Sequence, residues 1–166
     1  MHTLTIWAAQ YLLWIMVLAI GAVWLFKERR EGKVAFAVAA VIGLILALIF
    51  LYIAKSVHDD PRPFVKNPSI KPLFGHSTDD GFPSDHSVAA GLIAFLVLIR
   101  HRLTGLVLLL CAIAIAWARV AAHVHHLQDV LAGLILGGLA AGIATVLAPP
   151  VIKFVTERVP ALSNKP

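Results

Sequence analysis

Five stretches of this chain, Thr3 to Phe26, Val34 to Ala54, Ser87 to Ile99, Leu103 to Ala118 and Val130 to Ile152, contain no Asp, Glu, Lys or Arg. An α-helix needs about 20 apolar residues to cross a bilayer core, and four of the five stretches have that length or come close to it. A helix also satisfies its own backbone polar groups, as lipid demands. A content of 60% hydrophobic and 14% charged residues is far from a soluble domain's balance, and 166 residues leave room for one domain. The expected architecture is an all-α integral membrane protein, a single transmembrane domain over residues 1–166 with about five spanning helices. The third stretch is the shortest; it spans only if its helix begins near His86 and recruits the polar edge. No Lys or Arg precedes the first stretch, and its apolar length exceeds that of a signal core, so it is expected to remain as a helix. The single Cys111 lies in an apolar run and reads as a packing residue.

Five spans sort the charges. Lys27, Arg29, Arg30, Lys33, Arg100, Arg102, Lys153, Arg158 and Lys165 share one side with Glu28, Glu31 and Glu157, whereas Lys55, Arg62, Lys66, Lys71 and Arg119 share the other with six aspartates. Positive residues in short loops stay in the cytoplasm, so the first group is expected inside and the second outside, with the amino terminus outside and the carboxyl terminus inside. The pI of about 9.7 follows from these topogenic residues and leaves no basic patch for nucleic acid.

The connection from Ser56 to Asp85 is long and rich in Pro, Asp, His and Gly, while the others are tight. Loops of that length are usually functional or disordered. Pro61, Pro63, Pro68, Pro72 and Pro83 argue against a long helix in it but allow a short turn. Pro149-Pro150 is expected to end or kink the last helix, and Gly43, Gly133, Gly137, Gly138 and Gly142 to permit close helix contacts.

Three polar clusters stand at the ends of the apolar stretches: Lys55-x6-Arg62-Pro63, Pro83-Ser84-Asp85-His86, and Arg119-x5-His125-x3-Asp129. Taken singly, Lys55 reads as a snorkelling residue and Arg62 as ordinary; together on a loop that must fold back, they suit anion binding, the fork of Arg gripping two oxygens and Lys adding a point charge. Arg119 interrupts an apolar run, where a charge is costly and needs an anionic partner. Asp129 lies one helical turn after His125, a spacing that lets its carboxylate take a hydrogen bond from that ring and fix its tautomer, which leaves Arg119 for substrate. Ser84 and Asp85 open a helix whose free amides favour an anion, though Ser84 is also an ordinary helix cap. His86 with His125 supplies a nucleophile and a proton donor, the pair that phosphoryl transfer needs.

These three motifs, in this order, resemble the signatures of the type 2 phosphatidic acid phosphatase superfamily, which shares its site with vanadium haloperoxidases; the likeness covers roughly residues 35 to 150. The resemblance implies metal- and cofactor-independent hydrolysis of a lipid phosphate. In it His125 forms a phosphohistidine, Asp129 orients His125, and His86 protonates the leaving group. Lys55, Arg62, Ser84, Arg119 and the backbone amide of Asp85 hold the phosphoryl oxygens. Within the superfamily, Phe82 before Pro-Ser-Asp-His, Arg62-Pro63-Phe64 and an upstream His76 look like the bacterial undecaprenyl pyrophosphate phosphatase branch. That implies undecaprenyl diphosphate as substrate, cleaved at the outer face of a bacterial plasma membrane, with phosphatidylglycerophosphate or phosphatidate as alternatives. The chain departs from the family's pattern in having Asp85 where Gly is common, Ala118 where Ser or Thr is common, and no Gly near His123, and it has five spans where six are usual. Asp85 is expected to turn its side chain outward. His58, His76, His123 and His126 are expected to be neighbours without an essential role.

Two readings of other classes remain at this stage. His123, His125, His126 and Asp129 resemble a metal-ligand cluster, but a metal leaves Lys55, Arg62 and Arg119 unexplained. A noncatalytic phospholipid-binding protein would keep the cations and have little use for two histidines. The sequence does not fix the oligomeric state or the route by which a lipid enters.

Overall fold

The computed structural model describes residues 2–158, so Lys165 lies outside the described residues. Helix α1 (His2–Ala22) continues into a five-residue π-helical turn, Val23–Lys27, and a two-residue connection leads into α2 (Arg30–Val57). After the one-turn α3 (Pro63–Lys66) come α4 (Asp85–Arg100), α5 (Arg102–Ala121) and α6 (Leu127–Arg158). Among the described residues there is no strand, only an isolated bridge between Pro61 and Asp80. Four helices, His2–Lys27, Arg30–Val57, Arg102–Ala121 and Leu127–Arg158, are long and apolar enough to cross a membrane. Their outward faces carry Trp14, Leu48, Trp117 and Ile135, all more than half exposed, as expected where lipid is the solvent. The chain is a helical multi-pass membrane protein.

The third apolar stretch forms α4, which starts at Asp85 and so does recruit the polar edge. At 16 residues it is about 24 Å long, short of the ~30 Å hydrocarbon core. It tolerates this length because it is the central helix: Val88, Ala90, Ala94, Leu96 and Val97 are buried, and α6 and α5 pack most extensively against it. Close approach of α4 and α6 rests on glycines, among them Gly91 of α4 and Gly133 and Gly137 of α6. A Cβ at Gly133 would lie 2.8 Å from the Ser84 carbonyl oxygen and 2.8 Å from Ser87 Cβ, and one at Gly137 would collide with the Val88 carbonyl oxygen. Gly142, expected to do the same, faces open space.

The last helix continues past Pro149 and Pro150 to Arg158 and so does not end there. Each proline removes one amide donor, which leaves the carbonyls of Thr145 and Val146 without their helical partners inside the helix. At the opposite end of the bundle from the long loop, the α1–α2 and α4–α5 connections meet. Glu28 accepts from Arg100 (2.8 Å) and faces His101 Nε2 (2.9 Å), while Lys27 Nζ donates to Thr104 Oγ1 (2.7 Å). The tight, cation-rich turns therefore gather at one end and the three motifs at the other.

Candidate active site

The three motif ends are joined by backbone. The amide of Ser84, which precedes α4, donates to the carbonyl of Asp129 in the first turn of α6 (3.1 Å), directly above the Gly133 contact. The long loop is tied down by Leu73 N–H to the Ala122 carbonyl (3.1 Å), Gly81 N–H to the Asp60 carbonyl (3.0 Å), and Asp60 N–H to Asp80 Oδ1 (2.6 Å).

His125 occupies the centre and is buried. Its Nε2 lies 3.1 Å from Arg62 NH1 and 3.3 Å from Arg119 NH2. A guanidinium only donates, so Nε2 carries the lone pair and the proton sits on Nδ1, which faces Asp129 Oδ2 at 3.3 Å. Asp129 is fully buried, and the same oxygen accepts the His126 amide (2.8 Å), which fixes the carboxylate. Burial is the largest influence on His125 and pushes its pKa below the usual 6.5; the hydrogen bond to Asp129 opposes this, while Arg119 and Arg62 add to it. The ring is therefore neutral near pH 7, with its free nitrogen aimed between two guanidinium groups.

The two arginines are held differently. Arg62 is 4% exposed and pairs with Asp79 Oδ1 through NH2 (3.1 Å), while NH1 donates to the Val124 carbonyl (2.9 Å). Arg119 is 3% exposed, and no ion pair among the described residues includes it. Its neighbours are the Ala9 carbonyl (3.4 Å), His76 Nε2 (2.7 Å), His125 and the Phe74 ring (5.7 Å), and its Nε has no partner. A buried guanidinium without a carboxylate, beside a second one, is a strong site for an anion.

Ser84 is fully buried at the N-cap of α4, but its hydroxyl makes no capping bond and has no partner. An orphaned buried hydroxyl at a helix N-terminus is a donor set for an anion. His86, in the first turn of the same helix, lies within electrostatic reach of Arg119, His125 and His76. Asp85 turns its side chain outward, 58% exposed, where it pairs with Lys55 Nζ at 2.8 Å. Lys55 is thus engaged by a carboxylate in this structure rather than pointing freely at the pocket.

Sequence reasoning placed His76 only within the branch resemblance and expected a neighbour without an essential role. It reaches in from the long loop, contacts Arg119, and stands edge to face with His125, ring centroids 6.2 Å apart. Burial first, then Arg62 and Arg119, lower its pKa to about 4. The available signal was its placement in a long polar loop, which carries no periodicity. Of the metal-type cluster, His123 is exposed and has a left-handed backbone, φ 60°. The structure groups different residues: Asp60, His126 and Asp129 have ligand-type atoms within 4.8 Å of one another. There Asp60 Oδ2 already accepts Gln128 Nε2 (2.5 Å), and Lys66 Nζ lies 3.5 Å from Oδ1. These two partners, one of them a cation, compete directly with a metal for Asp60.

Fold and site together define a helical membrane protein with a buried, cation-lined pocket around an imidazole. Residues 34–153 match the model of the PAP2 superfamily, and the chain belongs to that superfamily. It is 33% identical over 133 residues to the bacitracin transport permease protein BcrC of Bacillus licheniformis, covering 80% of this chain and 64% of that one. It is 29% identical over 136 residues to the undecaprenyl-diphosphatase BcrC of Bacillus subtilis (strain 168), covering 82% and 69%. The chain thus spans about two thirds of the length of these relatives. The crystal structure of Aquifex aeolicus LpxE shares the fold, with a TM-score of 0.63 at 24% identity over 86% of this chain and 85% of that one.

Proposed function

We propose that this protein is a metal-independent lipid phosphatase, one domain over residues 1–166, that hydrolyses a polyprenyl diphosphate at the outer face of a bacterial plasma membrane. The observation that carries this reading is the convergence of Arg62 NH1 and Arg119 NH2 on the lone pair of His125 Nε2, with Asp129 behind the ring. Cation placement and membership of the superfamily favour phosphoryl chemistry, and the name of the Bacillus subtilis relative favours undecaprenyl diphosphate.

In this mechanism His125 Nε2 attacks the distal phosphorus. The bond from that phosphorus to the bridging oxygen breaks, its electron pair stays on the oxygen, and His86 supplies a proton there, so lipid monophosphate leaves. Arg62, Arg119, the Ser84 hydroxyl and the Asp85 amide stabilise the charge on the transferring oxygens. Asp129 holds the ring and stabilises the cation formed on it. Water then gives its proton to His86 and attacks phosphorus, the N–P bond breaks, and inorganic phosphate is released. Lys55 sits at the rim, where it can exchange Asp85 for a substrate oxygen.

The test is phosphate release by purified, detergent-solubilised protein with a chelator present. Substrates are undecaprenyl diphosphate, phosphatidylglycerophosphate and phosphatidate. Release from the diphosphate in chelator is the expected result. Activity abolished by the chelator and restored by zinc overturns metal independence, and no release from any substrate by folded protein overturns the phosphatase reading.

A further inference from the structure

The mechanism above leaves a half-buried contact unused: His76 on Arg119. The loop does not need this contact to stay in place. On one side of it, Leu73 is bonded to Ala122 and the Phe74 ring lies 5.7 Å from the Arg119 guanidinium. On the other, Ser77 donates to Asp79, Asp79 pairs with Arg62, and Pro61 bridges to Asp80. His76 is nonetheless delivered into the pocket, with Nε2 2.7 Å from the same Arg119 nitrogen that lies 3.3 Å from His125 Nε2. One guanidinium nitrogen therefore serves two imidazoles.

A guanidinium donates, so His76 Nε2 accepts and behaves as a stand-in for an anionic oxygen. The atoms that converge on His125 Nε2 hold one phosphoryl group. Arg119 NH2 also contacts His76 Nε2, so an oxygen of a second phosphate bound to Arg119 falls beside that ring. We infer that His76 is a substrate-contacting residue that recognises the second phosphate of a diphosphate and makes the pocket prefer diphosphates to monophosphates. Burial and, after it, Arg62 and Arg119 keep the free ring neutral; the arriving anion offsets the two arginines, so the ring takes a proton from solvent and turns from acceptor to donor. It transfers no proton to the leaving oxygen; that remains the part given to His86. This inference rests on the phosphatase reading for its biological substrate but not for its measurement.

The test is calorimetric titration of the full chain in detergent, at pH 7 and fixed ionic strength, with inorganic pyrophosphate and with orthophosphate. Wild type is expected to bind pyrophosphate at least tenfold tighter. His76→Ala should weaken pyrophosphate about tenfold more than orthophosphate and bring the two affinities within about twofold, and His76→Gln, which keeps a donor without the charge, should fall between. An equal loss for both anions marks a structural role and overturns the inference, as does an unchanged preference or a wild type that does not prefer pyrophosphate. A parallel measurement of phosphate release from a polyprenyl diphosphate and the monophosphate of the same chain separates the two readings. Turnover of neither by wild type overturns the phosphatase reading, while the affinity ratio still decides His76.

Discussion

At the residue scale the proposed chemistry depends on a neutral His125 whose Nε2 is free and whose Nδ1–H is anchored on Asp129. Replacing His125 by Ala removes the attacking atom, and turnover is expected to vanish while lipid phosphate still binds. Asp129→Asn leaves an amide that can present either end to the ring, so the tautomer is no longer fixed; kcat should fall roughly 100- to 10,000-fold with a smaller change in KM. The pH dependence follows from the same geometry. Burial lowers the His125 pKa from its usual 6.5, so the fraction of free nucleophile is high at neutral pH and lost only as pH falls through that depressed value. The acid limb of the kcat/KM profile, which reports the free protein, should have its midpoint below 6.5; a midpoint above 7 overturns the assignment of a buried, arginine-flanked nucleophile. Arg119→Lys should lower kcat/KM about 100-fold, because one ammonium cannot reach both imidazoles and an anion as the fork does. Each of these variants is checked by steady-state phosphate release across pH.

At the element scale, α4 and α6 are the frame that brings Ser84 and Asp129 together. Gly137→Val would drive a branched side chain into the Val88 carbonyl and is expected to cost about 3 kcal/mol or more, read as a loss of thermal stability in detergent. His123→Gly points the other way. At φ 60° an L-residue carries a strain that glycine lacks, so this variant should gain up to ~1 kcal/mol and keep its activity. The spacing of the sequence made most of this scale legible. Charge-free runs marked the helices, and the absence of a glycine near His123 was visible before the left-handed backbone that explains it. Two features were not legible. The shortness of α4 is permitted by burial among neighbours, which a hydropathy window does not register. The continuation of α6 through Pro149 and Pro150, with Ala144 and Ala148 buried just before them, is a tertiary outcome that a proline count does not register. In the same way, the pairing of Lys55 with Asp85 joins the end of α2 to the start of α4 and has no local signal.

For the whole molecule, the two ends of the bundle differ in chemistry. One gathers Arg100 and His101 around a nearly buried Glu28, with Lys27 bonded to Thr104; the other holds the candidate pocket, beside a loop rich in aspartate. This division was readable from sequence because helix ends and charge runs coincide, whereas the contact of His76 with Arg119 was not, since a long loop closes by tertiary contacts spread between residues 60 and 122. Retention of cations on the cytoplasmic side is the basis of the proposed orientation, with the cation-rich turns inside and the pocket outside. Single cysteines test it in a Cys111→Ala background, one at Ser69 on the exposed loop and one at Glu31 near the start of α2, both solvent-accessible. With intact cells and a membrane-impermeant maleimide, Ser69→Cys should be labelled at once and Glu31→Cys only after permeabilisation. The reverse pattern would put the pocket in the cytoplasm. It would leave every distance around His125 intact and yet remove the case for a lipid carrier cleaved outside the cell, because the pocket reads only the phosphate, and the side it faces decides which lipids present one.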